Sequence, residues 1–104
     1  MQFDIYVNTD KDTNKTYPYF MDVQSDLLDT LNSRVVIPLT PVENSSKDYP
    51  KTLCPRVKVR NKNFALLAHQ ITSVPLSLLK GKAASAKSTR NEIIAAIDFV
   101  VTGI

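Results

Sequence analysis

The stretch Leu53-Cys54-Pro55-Arg56-Val57-Lys58-Val59-Arg60-Asn61-Lys62-Asn63-Phe64-Ala65-Leu66-Leu67-Ala68-His69-Gln70 holds both arms of a hairpin and the turn between them. Val57 and Val59 point one way and Arg56, Lys58 and Arg60 the other, the period of two that a half-buried strand requires. Asn61-Lys62-Asn63 supplies turn residues that tolerate positive φ, so Phe64 to Gln70 should pair back on Leu53 to Arg60.

The same reading extends upstream. Phe3, Ile5 and Val7 alternate with Gln2, Asp4 and Tyr6 and predict a first strand. Asn8 to Thr16 is wholly polar, an exposed hairpin connection, and the aromatic-rich Tyr17 to Val23 returns as a second strand. Pro18 belongs at an edge or strand start, where its missing N–H is harmless. Gln24 to Asp29 reads as a turn or short helical piece that sets Leu27 and Leu28 side by side. Arg34 to Leu39 is a short, strongly apolar strand, and Thr40 to Pro50 is the longest irregular stretch.

Downstream, Val74 to Leu79 reads as a short strand or turn closed by Gly81, and Ala83 to Ser88 as a linker or loose first helical turn. The last element is a helix. Thr89 and Glu92 have capping-box spacing, and Ile93, Ile97, Val100, Val101 and Ile104 follow one helical face. The tip is apolar, with a terminal carboxylate near the negative end of the helix dipole, so it is expected to dock into something. The chain thus reads as one domain, residues 1–104, of six or so short strands and a C-terminal helix.

The 43% hydrophobic and 22% charged residues are ordinary for a globular domain. No run approaches the roughly 18 apolar residues of a membrane span. Met1-Gln2-Phe3-Asp4-Ile5-Tyr6 lacks the basic and apolar regions of a signal peptide, and a lone cysteine, Cys54, forms no internal disulfide. The expectation is a cytoplasmic protein without a membrane partner. Charge is segregated: residues 51 to 90 hold nine Lys/Arg and no acid, residues 1 to 50 eight acids against four bases. These bases are either solvated faces or a field that favours an acidic partner.

Catalytic chemistry finds few candidates. His69 is the single histidine and lies in an apolar stretch, as a structural histidine does. One Cys and one His do not make a zinc site, and Cys54 between Leu53 and Pro55 reads as an inert, partly buried thiol. Two glycines leave no phosphate-cradling loop. No cofactor is expected. Asp22, Asp26 and Asp29 form a loose acidic cluster whose convergence sequence cannot show, and a single aromatic, Phe64, in the basic segment is too few for base stacking.

Several stretches together resemble the CcdB family, the toxins of ccd-type toxin–antitoxin systems: Met1-Gln2-Phe3, Asp22-Val23-Gln24-Ser25-Asp26-Leu27-Leu28-Asp29, Val36-Ile37-Pro38-Leu39, Thr72-Ser73-Val74-Pro75, Asn91-Glu92-Ile93 and the terminal Gly103-Ile104. The resemblance implies a β-rich α+β fold, an SH3-like twisted antiparallel sheet or partly open barrel with a single C-terminal helix, and a homodimer. It implies a non-enzymatic poison that binds the DNA gyrase A subunit, traps cleaved gyrase–DNA and blocks replication and transcription. It also implies a CcdA-like antitoxin that neutralises the toxin and, only together with it, binds operator DNA.

Carried onto this chain, the gyrase contact falls on Asp98, Val101, Thr102, Gly103 and Ile104 with Leu27 and Leu28. Where the best-known member has Trp before Gly-Ile this chain has Thr102, and where that member has Asn it has Asp98. Two alternatives stand beside this reading. One is an endoribonuclease of the MazF/Kid type, with Arg56 to Lys62 as its candidate segment. The other is a non-toxic relative that binds antitoxin.

Overall fold

The computed structural model describes residues 1–44, 50 and 52–103. Among them the chain forms strands β1 (Asp4–Asn8), β2 (Tyr19–Asp22), β3 (Ser33–Pro41), β4 (Arg56–Val59), β5 (Lys62–Leu66), β6 (Thr72–Pro75) and β7 (Leu79–Ser85), then helix α1 (Arg90–Thr102). All pairings are antiparallel, in the order β4-β5-β3-β2-β1-β7, with β6 also on β3. The result is the expected fold class, a curled half-barrel sheet with one C-terminal helix.

The β4–β5 hairpin forms with a tighter turn than expected. Arg60 (φ 50°) and Asn61 (φ 67°) make a two-residue loop, so Lys62 pairs with Val59 and Asn63 with Lys58 inside the ladder. Two successive positive φ values match the twist of the flanking strands. The returning strand stops at Leu66, and Ala68–Gln70 turns as a 3-10 piece, which moves His69 off the strand.

β3 is the central strand. On one side it pairs with β2; on the other it pairs first with β6 through Ser33–Val36 and then with β5 through Leu39–Pro41. Pro38 lies in the gap between those two pairings, where no ladder bond is asked of its missing N–H. Because side chains alternate, Met21, Ile37 and Leu66 enter the main core while Phe20, Val36 and Ala65 enter two smaller clusters on the opposite face.

Two expectations fail near the edges. Phe3 is not a strand residue: it sits in a turn at φ 69°, buried, its N–H donating to the Asp22 carbonyl at 2.5 Å and its carbonyl accepting from Ala86 N at 2.8 Å. A bulky residue there carries about 1–3 kcal/mol of backbone strain, offset here by those bonds and the buried ring. Residues 79–85, expected to be a chain stop and linker, form β7, the outer partner of β1. Their alternation is real, Lys80 and Lys82 exposed against half-buried Gly81 and Ala83, but side chains this small hide it. The β1–β7 register slips twice, from Ile5↔Ala84 to Tyr6↔Lys82 and again to Asn8↔Leu79, each time with an extra residue in β7.

Helix α1 closes the main core with Ile93 and Ala96 buried and Ile97 and Val100 half-buried. Each fully buried aliphatic side chain is worth about 1.5–3 kcal/mol. The apolar stripe is therefore 93, 96, 97 and 100. Val101 is 75% exposed and does not belong to it. The capping box is absent: the Thr89 side chain caps nothing and its hydroxyl donates to the Ala86 carbonyl at 2.9 Å. Of the stretch from Thr40 to Pro50 expected to be irregular, Thr40 and Pro41 end β3 and Val42–Asn44 turn as a 3-10 piece, while residues 45–49, like Ile104, lie outside the described residues.

Candidate functional site

The leucine turn is built by polar bonds. Ser25 caps the 3-10 turn Asp26–Leu28 by accepting from Leu27 N at 3.2 Å, and the turn itself has no buried residue. Gln24, buried, donates from Nε2 to the Leu28 carbonyl at 3.0 Å and accepts at Oε1 from Val35 N at 3.1 Å. Gln2 N donates to Asp26 Oδ1 at 2.9 Å. Leu27 is left 93% exposed and Leu28 48%.

Beneath the turn lies an ionic network that unites part of the acidic cluster. Arg34 enters from β3 with its side chain buried. Its Nε and Nη2 bond Asp22 Oδ2 at 3.1 and 2.5 Å, and its Nη1 bonds Asp29 Oδ1 at 2.7 Å. Burial opposes the Arg34 charge, but the hydrogen bonds to Asp29 and Asp22 outweigh it and push its pKa up. The amino terminus lies 3.4 Å from Asp4 and 3.5 Å from Asp22, and donates to the Tyr6 hydroxyl at 3.2 Å. Burial first, then Asp4 and Asp22, push the Tyr6 phenol up. An open cleft of about 340 Å³ lies over this network, walled also by Leu76 and Leu79.

The helix end is the second projection. Thr102 Oγ1 donates to the Asp98 carbonyl at 2.7 Å, and Gly103 N to the Phe99 carbonyl at 2.9 Å. Gly103 adopts φ 74°, the left-handed helix stop that glycine reaches without a Cβ clash. Asp98, Val101, Thr102 and Gly103 are all exposed, and the Asp98 carboxylate has no hydrogen bond or ion pair among the described residues. Thus Leu27 and Leu28 share one turn and residues 98–103 one helix end. No hydrogen bond, ion pair or apolar cluster among the described residues joins the two.

The basic stretch is divided between two groups of strands. Its hairpin bases lie on β4 and β5 and its Lys80 and Lys82 on β7, at opposite ends of the strand order, with Lys82 3.4 Å from Asp4. Arg56 is turned to the Cys54 carbonyl at 2.5 Å. Among the described residues no acid pairs with Arg56 to Lys62, and the arginine–carboxylate convergence falls on Arg34 instead. Cys54 lies in a turn before β4, not in a strand; burial pushes its thiol up against the pull of Arg56, and His69 Nδ1 stands 3.9 Å from its Sγ. A protonated buried thiol is a poor nucleophile.

Among the described residues no three His, Cys, Asp or Glu side chains are grouped to hold a metal ion, and no helix is long and apolar enough to cross a membrane. Sequence reasoning missed Arg34, Gln24 and Gln2 as the supports of the turn. The available signal was one base opening an apolar strand, Arg34, within twelve residues of three aspartates.

A family model described as CcdB protein matches residues 2–103. Among solved structures, the fold is similar to that of the Mycobacterium tuberculosis toxin MazF-mt6, with a TM-score of 0.74 and 13% identity over 94% of this chain and 95% of that one. At that identity the likeness speaks to the fold alone.

Proposed function

The chain belongs to the CcdB family, whose members are the toxins of toxin–antitoxin systems, and from that premise we propose that it is a gyrase poison acting by binding alone. Leu27 and Leu28, with Asp98, Val101, Thr102, Gly103 and Ile104, form its contact with the gyrase A subunit. A homodimer presents two such sets, holds gyrase on cleaved DNA in the cytoplasm and is released by a CcdA-like antitoxin. Toxin and antitoxin together then repress their operon.

The observation that carries this reading is Leu27, an aliphatic side chain held 93% exposed on a turn fastened by side-chain bonds. A leucine that contributes nothing to the core, on an ordered element, is suited to fill a partner's pocket. The helix end supports the same reading. Phe99 is 38% exposed and lies three residues before Thr102, on the adjacent turn of the same surface. It offers an aromatic ring beside the position where Thr102 has none, and the unpaired Asp98 carboxylate offers a partner for a basic gyrase residue.

The test is a cleavage assay with purified protein, supercoiled DNA, gyrase and ATP. Linear DNA should accumulate with gyrase present and not with the toxin alone. The double substitution Leu27→Ala/Leu28→Ala should weaken gyrase A binding by about tenfold or more. Cutting of RNA in the absence of gyrase would replace this reading with the ribonuclease one.

A further inference from the structure

We propose that Arg34, acting through Asp29, is the positioning residue of the leucine turn, holding Leu27 and Leu28 in binding geometry before any partner arrives. The partner named here rests on the gyrase reading; the ordering of the turn does not.

A three-residue 3-10 turn with no buried side chain has little to hold it. Ser25 caps it locally, Gln2 N grips Asp26 from the amino-terminal segment, and Gln24 bridges the Leu28 carbonyl to Val35 N of β3, all through uncharged donors. Arg34 does something different. Its guanidinium is fixed in plane by two bonds to Asp22, itself 1% exposed, and this leaves Nη1 aimed at Asp29, the residue that closes the turn. A rigid fork with one free prong sets the position of whatever it grips. The grip ties the end of the turn to the start of β3.

The two halves of the network differ in exposure. Arg34 and Asp22 are buried, whereas the Asp29 side chain is 57% exposed. A pair open to water on one side adds little to global stability. Its effect is local: it removes freedom from the segment carrying Leu27, and a pre-ordered contact loses less entropy on binding.

Asp29→Asn keeps the shape of the side chain and leaves Asp22 with its cation. In the free protein, amide hydrogen exchange at Leu27, Leu28 and Asp29 should quicken about tenfold while Ile37 and Leu39 stay protected. Affinity for the purified gyrase A subunit should fall about tenfold, and the same substitution should add nothing in a Leu27→Ala/Leu28→Ala background. A purely structural role would lower affinity equally in both backgrounds. An unloosened turn overturns the proposal, as does a loosened turn with wild-type affinity. If the wild-type protein fails to bind gyrase A, the functional reading falls, and the exchange measurement alone then decides whether Arg34 and Asp29 order the turn.

Discussion

The leucine turn and the helix end both push apolar side chains into solvent, yet they are held in opposite ways. The turn buries none of its own residues and is fastened by polar bonds, the shortest, at 2.7 Å, reaching the buried Arg34. The helix end is carried by what precedes it: Ile93 and Ala96 are buried, Ile97 and Val100 pack against the core, and the last turn is closed by bonds of Thr102 Oγ1 to the Asp98 carbonyl and of Gly103 N to the Phe99 carbonyl. One projection is clamped and the other cantilevered. Electrostatic changes should therefore disturb the first, and changes of packing or backbone conformation the second.

Arg34→Ala is the hardest blow to the clamped side. It leaves Asp22 buried without its guanidinium and should cost about 3–5 kcal/mol in urea unfolding. Arg34→Lys should recover little, because a point charge cannot grip two carboxylates as the fork does. On the cantilevered side, Ile93→Ala removes the helix anchor and should cost about 2–5 kcal/mol by the same measurement. Comparable losses in hydrogen-exchange protection at both projections for either variant would erase the distinction.

Gly103→Ala acts on the helix end alone. A Cβ there would meet nothing within 4 Å, so its cost is the left-handed backbone itself, about 1 kcal/mol, visible as a lowered melting temperature and fraying from Phe99 onward. Glu92→Ala should have the smallest effect, no more than about 0.5 kcal/mol, because only the dipole contact is lost. A larger loss would restore the capping box that the structure lacks.

Legibility in the sequence followed the range of the interactions involved. The β4–β5 hairpin, the polar connection after β1, the leucine turn and α1 were readable because each is specified by neighbours along the chain. β7 was not, since its inward positions are Gly81 and Ala83 and give no hydrophobic alternation. The capping box failed on backbone grounds: Lys87–Thr89 already turns as a 3-10 piece, leaving Thr89 at φ −105°, ψ 19° instead of the extended shape a cap adopts. In the site, Leu27 and Leu28 are visible in sequence as a side-by-side pair on a turn but their exposure is not, and spacing alone sets Val101 on the face of Ile93 and Ile97, from which the structure turns it away. The network beneath the turn depends on Gln2, Asp22, Gln24, Asp29 and Arg34 meeting in space, which no local pattern encodes.

The two register slips in β7 have a consequence for the protein's life in a crowded cell. β7 is seven residues long and closes the strand order, so its outer row of backbone groups could serve as a template for a stranger's strand. Each slip bends and twists that row, and lysines flank the bend at Lys80 and Lys82. A flat incoming strand finds no straight ladder to extend. The irregularity that made this segment hard to read is also one that disfavours edge-to-edge pairing.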